Sequence, residues 1–556
     1  MRKTIIILIC CTIVLLLGYS GYRAYELWKQ NHWMTLAKKY EAVGDSQNEI
    51  LCLEQAVHYN PRNADACRML ANLAEAAGSK TALVLRKKVV ELDPGSLDDR
   101  VALAHTALIF QDEATVASAL DGVDAAGKKT AAYLNVAGEY AMTLNHVDEA
   151  RADFAESARL DPSNPAPQIS LSVIQLHGTN ALDMAEARIT LQRVAMNTAS
   201  PAMRAQAQRE LILDALRSRD YNTALEYSGD LIQPANALFP DKLLRLEVLR
   251  LVKSSQYRPY LAACKNEAVT DPGKLPQMAL WLMQRNYTEQ ALDWLQGLPS
   301  QTQANLPAAL FIAQCQMVLK EWSTLQNTAS KQNWGDQEFT RHAYVARAMR
   351  EQGLREPSKG EWDLAVSTAN NQPDKLTSLF RLAAGWNWSD EAQQILWTIV
   401  NNYPQAQWAS QELSAILYEN GSTRPLMQLF SVQSSRNPDD LTVKNNLALT
   451  AMLLKAQELN PYDISLQVYQ KDPTNSYYAC TYAFALYLQG KNSQALQIMQ
   501  HIDPQALKDN STDGYYGLIL KAAGDKAQAN TYLQRSLQGQ LLPEERALFQ
   551  QAESGL

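Results

Sequence analysis

Cysteine is scarce in this 556-residue chain, with seven in all, and Cys10 and Cys11 stand together inside one apolar run. The other five, Cys52, Cys67, Cys264, Cys315 and Cys480, are odd in number, far apart and without a Cys-x-x-Cys pair. That pattern excludes a dense disulfide framework and leaves buried structural thiols as the reading. Histidine is equally sparse: His32, His58, His105, His146, His177, His342 and His501 form no His-Glu-x-x-His motif and none neighbours a cysteine at metal-ligand spacing. No metal is expected. The Gly-rich phosphate loop, the dinucleotide fingerprint and the Gly-x-Ser-x-Gly elbow are all missing, so neither a cofactor nor a catalytic residue has support in the sequence. Positive charge is not in excess either, since the formal net charge is -7. Phosphate backbones are bound by basic surfaces, so nucleic acid is not an expected partner.

Long apolar runs are lacking except for Thr4 to Gly21, 18 residues without a charge. As a helix this run would extend about 27 Å, close to the hydrocarbon thickness of a bilayer. Tyr19, Tyr22, Tyr25 and Trp28 lie where an interfacial aromatic belt would be. Gly18-Tyr19-Ser20 is a poor signal-cleavage site, so a retained transmembrane anchor is expected over a removed leader. Arg2 and Lys3 precede the run, while Arg23, Lys29, Lys38 and Lys39 follow it. Counting positive charges alone keeps the bulk of the chain in the cytoplasm. The short basic start instead resembles the signal anchors of bacterial envelope proteins, and the expectation follows that resemblance: a single-pass inner-membrane protein with its bulk exported.

What is abundant is helix-forming sequence, with 46% hydrophobic and 20% charged residues, enough for a sizeable core. The stretch Ala137 to Pro162 shows how it is organised. Leu134, Ala137, Gly138 and Ala141 fall at i, i+3, i+4 and i+7, an apolar face with little bulk. Ala150, Phe154 and Ala158 place one aromatic between two alanines on a second helix. Pro162 ends that helix, and Asn164-Pro165 caps and starts the next. Leu134-x2-Ala137-Gly138-x2-Ala141, then Ala150-x3-Phe154, then Pro162 resembles the tetratricopeptide (TPR) pattern of about 34 residues. Leu134 stands for the usual Trp and Ala141 for the usual Tyr.

The same register extends in both directions. Starts fall at Gln30, Ala64, Leu97, Ala131 and Pro165, then near Ala205, Phe239, Pro272, Leu306 and Phe339, then at Pro373, Gln407, Leu441, Ser476 and Asn510. The step from Pro165 to Ala205 is 40 residues, which implies about six inserted residues between His177 and Ser200. An extended turn or a hinge would account for them. Tryptophans gather in the middle, at Trp281, Trp294, Trp322 and Trp334. Residues 541–556 read as a terminal capping helix. The resemblance therefore implies an all-α, right-handed α-solenoid of about 15 TPR-like helix pairs, preceded by one N-terminal transmembrane helix. Its divisions are an anchor and juxtamembrane segment (1–29, span 4–21), an N-terminal TPR array (30–204), a divergent array (205–372) and a C-terminal array with its capping helix (373–556).

After anchor and repeats are assigned, no stretch is long enough for a catalytic domain, and a non-enzymatic protein is expected. In TPR proteins first-helix positions 2, 5, 9, 12 and 13 generally face a concave groove that takes protein or peptide partners. Carried over by resemblance, these positions select Met34, Lys38, Arg68, Asn72, Asn135 and Glu139 at the N-terminal end, a mixed polar and basic set. At the C-terminal end they select Asn445, Tyr477, Cys480, Phe484 and Tyr487, a flatter aromatic set. Phe484 and Tyr487 are equally readable as packing residues against the next repeat. Lys38 and Asn72 are at best a fragment of a carboxylate clamp. The expected function is a membrane-tethered scaffold for protein–protein interactions in a bacterial envelope assembly or export system. The alternative is a cytoplasm-facing peptide receptor or co-chaperone-type regulator. The identity of the partner and the oligomeric state are not encoded in the period.

Overall fold

The computed structural model describes residues 25–234, 237–503 and 505–555. The expected membrane span 4–21 lies outside the described residues, and among those described no helix is long and apolar enough to cross a membrane. Every regular element described is helical, and fifteen helix pairs follow one another from residue 25 to Leu537. Two compact units divide the chain, residues 1–278 and 279–556.

First helices begin at Ala64, Leu97, Ala131, Pro165, Phe239, Pro373, Gln407, Leu441, Ser476 and Asn510, the residues at which the sequence period starts those repeats. A single turn geometry enforces that period. The backbone is left-handed at Gly44, Gly78, Gln111, Asn145, Arg219, Lys253, Asn286, Lys320, Gly353, Asn387, Gly421, Lys455, Gly490 and Gly524. Each of these is the fifteenth residue of its repeat. The following residue then donates its N–H back to the carbonyl five positions earlier, as in Ser79 to Ala74 (2.8 Å), Lys491 to Leu486 (3.0 Å) and Asp525 to Leu520 (3.0 Å). This bond satisfies a carbonyl that the helix end would otherwise orphan, and it turns the chain sharply into the second helix. Repeat 5, from Pro165, is the exception: no positive φ occurs at its turn, and Gly178 donates to Gln175 instead.

In the first unit, Gly138 shows why the first helices carry so little bulk. A Cβ at Gly138 would stand 2.8 Å from the ring of Phe154, a fully buried side chain on the second helix of the same repeat. In the second unit the same two repeat positions hold Gly517 and Leu533, with the same 2.8 Å approach. One expectation on this face is corrected. Ser157 rather than Ala158 completes the fully buried set with Ala150 and Phe154, and its hydroxyl donates to the Ala131 carbonyl at 2.8 Å.

The inserted residues are helical. Repeat 5 ends in a 17-residue helix (Ala181–Asn197), repeat 6 opens with an 18-residue helix (Pro201–Ser218), and only three residues separate them. One buried cluster, from Ile169 through Leu191, Val194, Leu211 and Ile212 to Val248, runs through this region without a break. The insertion lengthens two packed helices and leaves the turn between them short.

In the second unit the helix Pro543–Ser554 covers the last repeat, with Phe549 fully buried and its ring 5.2 Å from that of Tyr515. It also reaches further than a cap. Leu542 lies in the apolar core of repeats 10 to 13, whereas Leu541, Phe549 and Ala552 lie in that of the last repeats. The Thr423 hydroxyl donates to the Glu544 carboxylate, a contact between residues 121 apart in sequence.

Candidate functional site

At the N-terminal end the selected polar residues engage one another. The Arg68 guanidinium donates to both carboxylate oxygens of Asp99 at 2.7 Å, and also to Asp65 (2.7 Å) and Asp93 (3.0 Å). Its bonds hold the Asp99 carboxyl below the ordinary carboxylate range. Asn72 accepts from Arg86 at 2.7 Å, and Arg86 is also paired with Glu75. Glu139 takes the Asn135 amide at 3.0 Å and lies 3.1 Å from the His105 ring nitrogen, which raises the imidazole pKa. Met34 packs against the core around Ala37 and Leu53, and Lys38 is exposed. Arg68 to Asp99 joins repeat 2 to repeat 3, and Arg209 to Asp241 joins repeat 6 to repeat 7 through the same two repeat positions. Position 5 of the first helix therefore works in both places as a clasp between neighbours.

At the C-terminal end Phe484 is 1% exposed and its ring stands 4.5 Å from that of Tyr515 in the next repeat. Of its two readings, the structure shows packing. Tyr487 is half-buried and stacks on Phe484 at 6.3 Å. Cys480 is buried, and burial pushes its thiol pKa up. Asn445 is buried as well, with its side-chain oxygen unpaired and its amide 3.4 Å from Asn446. Only Tyr477, 55% exposed, presents most of its surface to solvent. Of the central tryptophans, Trp281 and Trp334 are buried in the second unit. All five described cysteines are free and buried.

Repeats 12 and 13 line a cavity of about 780 Å³ that the selected positions did not single out. Gln407, Gln411, Gln433, Asn437 and Asn446 contribute carboxamides to its wall, Ser410, Ser414 and Thr450 contribute hydroxyls, and Leu426, Phe430, Val443 and Leu449 supply an apolar floor. Arg436 stands at the rim, its guanidinium donating to the carbonyls of Val400 and Asn401. Carboxamides offer donors and acceptors in pairs, so this wall can match the N–H and C=O groups of another polypeptide without needing a charge. Gln411, Ala415 and Tyr418 occupy positions 5, 9 and 12 of repeat 12, so the groove register applied to that repeat would have found them.

Leu542 and Glu545 close one side of the cavity. Glu545, 1% exposed, accepts from the Leu542 N–H (3.0 Å), the Tyr515 hydroxyl (2.8 Å) and the Ser511 hydroxyl (3.2 Å). Burial raises its carboxyl pKa despite these three donors. No sequence signal marked this residue, because its surroundings come from a helix that folds back on its own array. Among the described residues no group of three or more His, Cys, Asp or Glu gathers as a metal site would require.

The fold is a TPR-type array, defined by fifteen helix pairs, the recurrent left-handed turn and the small-residue contact between paired helices. No protein-family profile matches the chain, and no curated protein is significantly similar to it. Several solved structures are similar. PilF of Pseudomonas aeruginosa aligns over 40% of this chain and 97% of its own, with 17% identity and a TM-score of 0.31. A chain of the APC/C hetero-tetramer Cut9–Hcn1 aligns over 93% and 98%, with 12% identity and a TM-score of 0.28. A chain of Naa15/Naa10 bound to HypK-THB aligns over 95% and 78%, with 11% identity and a TM-score of 0.28.

Proposed function

We propose that this protein is a non-catalytic scaffold that holds protein partners on its helix-pair array, with the groove of repeats 12 and 13 as a principal contact. The observation that carries the reading is the 780 Å³ cavity, whose wall of carboxamides and hydroxyls over an apolar floor suits an extended polypeptide. The N-terminal run 4–21 tethers the scaffold to a bacterial inner membrane with the repeats exported, where it serves an envelope assembly or export system. That part rests on the sequence alone.

Capture from detergent-solubilised membranes tests the contact. Wild-type protein should retain specific proteins that Gln411→Lys/Asn446→Lys loses, with helicity unchanged. Equal retention by both overturns the assignment of the groove. A phosphatase fused after Leu556 tests the topology: it is active if the repeats are exported, and expression without activity returns them to the cytoplasm.

A further inference from the structure

The lengthened second helix of repeat 5 carries a feature that its own packing does not use. Ala187, Leu191, Val194 and Ala195 bury one side of it in the core. On the other side Leu182, Ile189 and Met196 are 80, 64 and 70% exposed, each seven residues from the next. An apolar residue at every seventh position supplies one of the two positions per heptad at which paired helices meet, a narrow stripe with Ala185 and Gln192 between its members. Met196 lies past the point where an ordinary second helix ends, as at Leu160 in the preceding repeat, so the lengthened helix extends the seam to a third position. Glu186 and Arg193, also seven apart and exposed, flank it on one side. Arg193 makes a weak contact with Thr190 at 3.4 Å.

We propose that this helix pairs with the same helix of a second copy of the chain, antiparallel, about a two-fold axis passing close to Ile189. An isologous contact must satisfy the same residues twice, and this one does. Leu182 lies against the second copy's Met196, Ile189 against its own equivalent, and Glu186 beside the second copy's Arg193, once on each side of the axis. Antiparallel helix pairs bring equivalent flanking positions together across the seam, which is what sets opposite charges face to face here. In a parallel pairing the two charges remain a heptad apart and do not meet. The seam is about 21 Å long at 1.5 Å per residue, smaller than the usual stable interface, so the association belongs in the micromolar range.

Sedimentation of the full chain in detergent, across a concentration series, tests this. Wild-type protein should form a dimer, and Ile189→Lys should weaken it by at least about tenfold. Glu186→Arg and Arg193→Glu should each weaken it at low salt, and Glu186→Arg/Arg193→Glu should restore it, because the swap keeps opposite charges face to face. All the substituted side chains are exposed, so helicity and melting should not change. A wild-type chain that stays monomeric to about 100 µM, well above a micromolar Kd, overturns the proposal and leaves the seam to a different protein. A dimer untouched by Ile189→Lys overturns it too, as does a double swap no stronger than its single parts.

Discussion

Tyr515 donates its hydroxyl to the carboxyl of Glu545 at 2.8 Å, and neither side chain reaches solvent. The pair fastens the last helix to the last repeat from inside. Because burial raises the Glu545 pKa in the fold, the protonated form is the one the structure favours. The stabilisation is therefore complete below the ordinary carboxylate value near 4.5 and is lost as pH rises through the raised folded value. Glu545→Gln keeps one acceptor oxygen for the Leu542 N–H and turns its NH2 toward the Tyr515 hydroxyl oxygen, which can accept, so the pair is kept without a charge. Calorimetry from pH 4 to 8 should find the variant close to wild type at the acid end and increasingly the more stable as pH rises.

Arg68 and Asp99 carry the opposite sign. The Asp99 pKa is lowered in the fold, so its contribution is present above the ordinary value and disappears as pH falls through the lowered one. Arg68→Ala leaves the buried Asp99 carboxylate without the guanidinium that bonds both of its oxygens. A loss of about 1–3 kcal/mol is expected at neutral pH, read from urea unfolding, and it should shrink in acid.

Gly138→Ala drives a methyl group against the Phe154 ring and should cost about 1–3 kcal/mol in the same measurement. Phe154→Leu placed in the same chain should recover part of that loss, since it removes the atoms that clash.

Lys320 and Lys455 hold the left-handed turn that most other repeats give to glycine or asparagine. A side chain there costs roughly 1–2 kcal/mol, partly offset by the greater freedom of glycine in the unfolded chain. Lys320→Gly and Lys455→Gly should each raise the melting temperature, with a net gain of up to about 1 kcal/mol.

Tyr477→Ala and Phe484→Ala should separate in behaviour although both residues were selected by one groove rule. Tyr477 is mostly exposed, so its loss should leave stability within about 0.5 kcal/mol and affect only partner capture. Phe484→Ala opens a cavity beside Tyr515 and should cost about 3–5 kcal/mol. Helical signal against urea distinguishes the two.

The sequence by itself determined the repeat and its register, because helix period, small-residue positions and turn length are local properties. Even the weak repeats from Phe239 to Phe339 obey it, since Lys253, Asn286, Lys320 and Gly353 all occupy the same left-handed turn. It could not decide what each groove position faces. Arg68 was legible as a basic groove residue, yet its engagement with Asp99 depends on how closely repeat 3 stacks on repeat 2. Phe484 and Tyr477 share a helix and a rule and differ in burial because a neighbouring repeat covers only one of them. The cavity beneath Gln411 and Asn446 exists because Leu542 and Glu545 return to repeats 12 and 13. Contacts of that sequence separation leave no periodic trace, so only the tertiary structure could decide where this array closes on itself and where it stays open.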